Sequence, residues 1–344
     1  MKAVCLVEKG APLMAVVLDD PVAGQGQVVI RVTAAGICHS DAHYRAGTSS
    51  VSYLPIVLGH EIAGVVESVG PDVDAGVVGT RRAVHYLVGC GNCSHCRAGH
   101  EALCATVEML GKNRNGGFAE RVVVPFANAL LVPDEVPDAV AAIAMCSTST
   151  ALHALRRACF RPGCTVAVFG CGGLGMSAIA LARALGASRV FAVDVSGEKL
   201  KRAAELGAHA LDANEQDAAN AILAANGRQG VDVALEFVGR PETVDMCIRA
   251  TGKGGRAAMV ALADIPMPVY TYRDLIAREI DVVGVSDHTR VDLLDAMSLL
   301  RTGKLELSSA VTAQVPLDAA AVNGVLDRLE SRSSDVRTVI RPGA

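Results

Sequence analysis

Apolar residues in the first half of the chain come in short runs broken by glycine and proline. Val28–Val32, Ile62–Val69 and Arg121–Val124 are the clearest, and each predicts a β-strand. The opening Met1-Lys2-Ala3-Val4 also reads as strand. Pro137–Met145 is alanine-rich and predicts a helix with Cys146 at its end. From about residue 165 strands and helices alternate. Val166–Phe169, Val190–Val193, Val231–Phe237 and Ala257–Ala261 predict strands, and Leu174–Leu185 and Glu198–Leu206 predict helices. Such alternation predicts a doubly wound parallel sheet. After Val285 the pattern is mixed again, with a helix over Val291–Arg301 and a terminal strand around Val336–Ile340. The expected class is α/β. A β-rich domain covers residues 1–147, a parallel-sheet domain 148–285, and a return segment 286–344 completes the first.

The 344 residues leave room for two buried cores, and 51% hydrophobic with 20% charged residues describes a folded globular protein. A net charge of −4 without a basic run argues against nucleic acid or an anionic membrane as partner. No uninterrupted apolar run reaches the ~18 residues of a membrane span, and the N-terminus lacks the organisation of a signal peptide. The expected compartment is the cytoplasm. There, eleven cysteines read as metal ligands and buried fillers and not as a disulfide framework.

Gly170-Cys171-Gly172-Gly173-Leu174-Gly175 is a G-x-G-x-x-G that follows an apolar strand and opens a helix, the context this motif requires. Gly170 permits the tight turn, Gly172 admits a pyrophosphate, and Gly175 lets helix pack on strand. The free N–H groups of the helix N-terminus then face the phosphates. Asp194 ends the next strand, about 20 residues on, where a carboxylate accepts ribose hydroxyls and repels a 2′-phosphate. NAD is therefore the expected cofactor.

Cys90, Cys93, Cys96 and Cys104 form C-x2-C-x2-C-x7-C in a glycine-rich lobe over about residues 89–105. Four thiolates at this spacing can close a tetrahedral shell around Zn2+, with no ligand position left for substrate. Cys38, His60 and Cys146 would leave one position open, and two thiolates with an imidazole suit zinc. They are far apart in sequence, so residue type alone also admits structural roles for each.

The order of these pieces decides between the two. The Cys38–His43 run, Gly59-His60-Glu61, the four-cysteine lobe, Cys146–Thr150, Gly170–Gly175 with Asp194, and Val336-Arg337-Thr338 stand in the order found in one family. Along essentially its whole length the chain resembles a zinc-dependent alcohol dehydrogenase of the medium-chain dehydrogenase/reductase superfamily. The resemblance implies a GroES-like β-rich catalytic domain joined to a Rossmann domain. It also implies two zinc ions per subunit, with Cys38, His60 and Cys146 holding the catalytic one. Glu61 matches a carboxylate that can visit that metal, and Asp41 one that orients the ligand imidazole. Ser40 matches the hydroxyl that takes the alcohol proton, and His43 the group that passes it to solvent. Thr150 matches a residue packed on the nicotinamide, Lys199 an adenosine-ribose contact, Arg240 a residue over the adenine, and Arg337 a pyrophosphate contact. Tyr86 matches a position lining the substrate pocket. His39 replaces an arginine of the animal members and should grip the pyrophosphate less firmly, and Ser40 replaces a threonine. The short stretch between Cys104 and Cys146 is similar to that of microbial tetramers, so a homo-oligomer, and a tetramer before a dimer, is expected.

The expected reaction interconverts a small-molecule alcohol with an aldehyde or ketone. A polyol or threonine-type zinc dehydrogenase of the same superfamily is the enzyme alternative, although in those the third ligand is commonly glutamate. A non-catalytic NAD- and zinc-binding redox sensor is the alternative from another class; it needs neither Ser40 nor His43.

Overall fold

The computed structural model describes residues 1–263, 269–330 and 337–343. It divides into two compact units: Met1–Cys146 with Thr289–Gly303 and Leu307–Ala344, and Ser147–His288 with Lys304–Glu306.

The first unit is built on a mainly antiparallel sheet whose central strand, Gln27–Ile37, pairs with Glu61–Val69 on one side and Arg337–Arg341 on the other. The strand Arg121–Pro125 pairs with its first half. Val28, Ile30, Ala34 and Ala35 are buried within it, and Ile62 and Ala63 opposite them are equally dry. This core fixes where Cys38, one residue past the central strand, and His60, one residue before its neighbour, must lie. The C-terminal strand runs from Arg337; Val336, assigned to that strand from the sequence, lies outside the described residues.

The second unit carries a parallel sheet in the order His209–Asp212, Arg189–Asp194, Thr165–Phe169, Val231–Glu236, Thr251–Met259, Asp281–Gly284. The first strand in sequence, Thr165–Phe169, sits in the middle; the next two lie to one side of it and the later three to the other. That reversal is the topological switch point at which such sheets bind ligands, beyond the carboxyl ends of the strands. Val166, Ala167, Val168 and Phe169 are all fully buried, as expected of a strand covered on both faces.

The helix Asp138–Ile143 passes into a π-helical turn, Ala144–Thr148, and then the helix Ser149–Arg157. By averaged hydropathy the stretch Asp138–Arg157 qualifies in length and composition as a membrane span, although no uninterrupted apolar run does. With 89% of its window buried inside the protein, it is core.

Candidate active site

Two groups of side chains among the described residues bring their donor atoms within 4.8 Å of one another: Cys38, His60, Glu61 and Cys146, and Cys90, Cys93, Cys96 and Cys104. Local structure explains the first. Cys38 caps the helix His39–Ala46, and Asp41, at the third helical position, reaches back to accept the Cys38 N–H at 2.8 Å. The other oxygen of Asp41 accepts the Gly59 N–H at 3.2 Å and stands 3.5 Å from Nδ1 of His60. One fully buried carboxylate thus ties together the two segments that deliver Cys38 and His60. Cys146 comes from the π-helical turn, a distortion that recurs at functional sites because it re-aims side chains.

The donor chemistry fits a metal ion. Neither ring nitrogen of His60 makes a hydrogen bond to the described residues, and Glu61 Oε2 makes none either; all are buried. Buried polar atoms normally find partners, so atoms converging without them suit coordination. A hydrogen bond from the Cys146 thiol, helped by His60 and opposed by burial, holds the Cys38 thiol well below its ordinary pKa. Burial works against a charged His60, yet Asp41 and Cys38 outweigh it and push its pKa up to about 10. The two shifts have different causes: a donated hydrogen bond and nearby positive charge favour the Cys38 thiolate, and negative neighbours favour the His60 cation.

The second group fits zinc equally well. Sulfurs about 2.3 Å from a tetrahedral centre stand about 3.8 Å apart, and Cys90 Sγ and Cys96 Sγ are separated by 3.9 Å. The Cys93 and Cys96 N–H groups each donate to the preceding cysteine sulfur at 3.4 Å, which favours thiolates. A Cβ at Gly89 would lie 2.6 Å from Cys96 Sγ, so the glycine is what lets backbone approach the sulfur. His95 and His100 belong to neither group.

Ser40 Oγ lies 3.9 Å from Cys38 Sγ, and His43, three residues on along the same helix, is half-buried with Nδ1 3.2 Å from Thr48 Oγ1. His39 is exposed. Arg337, buried on the C-terminal strand, forms an ion pair with Glu61 across the central strand. Tyr86 is fully buried, with its hydroxyl on Cys146 and its ring against His60.

In the second unit Gly170 has φ of +94°, the left-handed turn expected after the strand. Gly172 caps the helix Gly173–Ala184, and Leu174 and Gly175 lie in its first turn. Asp194 does more than the sequence suggests. Its Oδ2 accepts the Cys171 N–H at 2.7 Å, and its Oδ1 accepts the Val195 and Ser196 N–H groups at 2.8 and 3.0 Å. Three of its roughly four acceptor sites are thereby used in holding the glycine loop to the next turn. Lys199 is half-buried nearby and Arg240 is exposed. Thr150 is buried with Oγ1 3.2 Å from Nδ1 of His288, a residue that no sequence motif singles out. The available signal was position: His288 closely follows the strand Asp281–Gly284, at the ligand-binding edge of the sheet.

Comparison with known proteins agrees with this geometry. Residues 24–134 match the alcohol dehydrogenase GroES-like domain, and residues 173–301 match the zinc-binding dehydrogenase domain. Over 99% of its length the chain is 34% identical to an NAD-dependent alcohol dehydrogenase of Sulfurisphaera tokodaii, all of which is covered. The chain belongs to the zinc-dependent alcohol dehydrogenases of the medium-chain superfamily. Among other such dehydrogenases it is 33% identical to the sorbitol dehydrogenase of Bacillus subtilis, over 88% of this chain and 86% of that one. A zinc-binding dehydrogenase from Sinorhizobium meliloti, solved bound to NADP, superposes with a TM-score of 0.90 at 29% identity, covering 99% of both chains. This dehydrogenase is thus a zinc- and nicotinamide-using oxidoreductase with a GroES-like and a Rossmann domain.

Proposed function

We propose that the chain interconverts a small alcohol and its aldehyde or ketone with NAD, holding one zinc at Cys38, His60 and Cys146 and a second in the Cys90–Cys104 lobe. The observation that carries this reading is the buried, convergent donor set of Cys38, His60 and Cys146 in a chain of this family. When bound, zinc supplies Lewis acidity toward the substrate oxygen and the nicotinamide accepts hydride. The protein's own residues handle the proton. Ser40, beside Cys38, receives it from the alcohol, and His43, on the same face of the helix, delivers it to solvent. Asp41, 3.5 Å from Nδ1, holds His60 in orientation. Arg337 holds Glu61 at the edge of the cluster. For the cofactor the family resemblance supports roles for His39 and Arg337 at the pyrophosphate, Lys199 at the ribose, Arg240 at the adenine and Thr150 at the nicotinamide; in this structure Arg337 is engaged by Glu61.

A polyol dehydrogenase is supported by the sorbitol dehydrogenase likeness, but the Cys146 sulfur within the donor set favours the simple alcohol reading. For NAD the support is the charge of Asp194, which opposes a 2′-phosphate even with most of its acceptor sites in use. NADH formation measured over primary, secondary, aryl and polyhydric alcohols, with NAD and with NADP, tests both points. NAD should exceed NADP by at least about tenfold in kcat/KM, some 1.4 kcal/mol, and Asp194→Asn should narrow the gap. Polyols as the best substrates, or a preference for NADP, would reverse the reading; no turnover with any alcohol would favour the redox sensor.

A cytoplasmic homo-tetramer completes the proposal. Free cysteines throughout the described residues suit a reducing compartment. The strand Asp281–Gly284 pairs on one side only among the described residues, and Tyr270, Tyr272 and Ile276 near it are 58%, 74% and 62% exposed. An open edge flanked by apolar side chains suits pairing with a second copy. Light scattering should return four chain masses, and a monomer would overturn this.

A further inference from the structure

We propose that Tyr86 is a positioning residue for the metal centre, with its hydroxyl bracing Cys146 and its ring bracing His60. The inference rests on the reading that these two residues hold zinc and adds a role that the substrate-pocket reading of Tyr86 does not contain.

Three observations carry it. The phenol is 1% exposed, and its hydroxyl donates to Cys146 Sγ at 3.9 Å. The ring meets the His60 imidazole edge-on, with centroids 4.9 Å apart and an interplanar angle of 72°. This is the arrangement aromatic quadrupoles favour, and it limits rotation of the imidazole. Finally, the backbone that presents Tyr86 is pinned on both sides. The buried Asn128 amide donates to the carbonyls of His85 and Leu87 at 2.7 and 2.8 Å, and the Leu110 N–H donates to the Tyr86 carbonyl at 3.1 Å. The phenol therefore springs from a fixed stretch of main chain.

The consequence is electronic as well as mechanical. A hydroxyl donating to a thiolate draws charge off the sulfur, which makes Cys146 a weaker donor and leaves the metal more electrophilic. It also raises the cost of letting Cys146 swing out of the donor set, because that hydrogen bond would break, and for metal release this bracing outweighs the weaker donation.

Tyr86→Phe keeps the ring and removes only the hydroxyl; Tyr86→Leu removes both contacts. The first readout is zinc release to a colorimetric chelator. Tyr86→Phe should lose one ion about 10- to 100-fold more readily than the parent, and Tyr86→Leu more readily still. The ion of the four-cysteine lobe should leave both variants at the parental rate. The second readout is the cobalt-substituted enzyme. Without the hydroxyl the sulfur is richer in electrons, so the thiolate-to-cobalt charge-transfer band should move to longer wavelength. Global fluorination of the five tyrosines strengthens the phenol as donor without changing packing and should move the band the opposite way, a test that survives poor folding of either variant. Release within twofold of the parent together with an unmoved band, in Tyr86→Phe or on fluorination, overturns the role of Tyr86. Failure of the underlying reading looks different: the parent itself would hold zinc in the four-cysteine lobe alone.

Discussion

Cys146→Ala should hold one zinc ion per chain where the parent should hold two, and its kcat/KM for alcohol oxidation should fall by at least about a thousandfold, some 4 kcal/mol. The donor set explains the size of the effect. Three protein ligands are the minimum found in catalytic zinc sites, and loss of one leaves Cys38 and His60 with the engaged carboxylate of Glu61. The variant also removes the hydrogen bond that holds the Cys38 thiol down, so a second ligand becomes harder to ionise. Metal analysis beside steady-state kinetics checks both halves. Cys96→Ser serves as the comparison: it too should cost one ion, but from the exposed lobe, and its mark should be earlier thermal unfolding, because a closed zinc site contributes directly to folding. If Cys146→Ala kept two ions and parental turnover, zinc would have to be held by other residues.

The parts of this architecture legible in the sequence are those governed by local rules. Strands buried on both faces read as unbroken apolar runs, so Val166–Phe169 and Val190–Val193 fall within one residue of the strands Thr165–Phe169 and Arg189–Asp194. The four-cysteine lobe is local in the same sense, because its ligands are neighbours in the chain. The first donor set is not. Cys38, His60 and Cys146 come together only because the central strand ends at one of them, its neighbour begins beside another, and a π-helical turn presents the third. No periodicity foretells that turn: an alanine-rich helix was expected through Met145, whereas the α-helix ends at Ile143. The central strand runs on to Ile37, well past the expected Val32, since Ala34, Ala35 and Gly36 carry little strand preference and are held there by pairing, on both sides at Ala35 and Gly36. The same long-range character hid the Glu61–Arg337 pair, the Tyr86–Cys146 contact and the Thr150–His288 bond, each joining residues from distant segments.

Gly175→Ala should raise the dissociation constant for NADH by at least about tenfold and cost about 2–3 kcal/mol of stability, in the range of an overpacked core. The cause is steric. A Cβ at position 175 would fall well inside van der Waals contact with the carbonyl oxygen of Gly170, and that atom is backbone, so no side chain can rotate out of the way. Either the helix Gly173–Ala184 lifts from the strand Thr165–Phe169 or the turn at Gly170 opens. Both movements displace the first-turn N–H groups, whose fixed direction makes the helix N-terminus an anion site. The turn has little freedom to follow, because Asp194 holds the Cys171 N–H at 2.7 Å while also engaging Val195 and Ser196. Damage at Gly175 should therefore spread to the ribose end of the cofactor, and AMP as well as NADH should bind more weakly. Isothermal titration with both ligands, beside thermal melting, measures this. AMP affinity equal to that of the parent would mean that loop and helix yield independently of Asp194, and parental affinity for both ligands would mean that the close approach of Gly175 to Gly170 has no part in holding the cofactor.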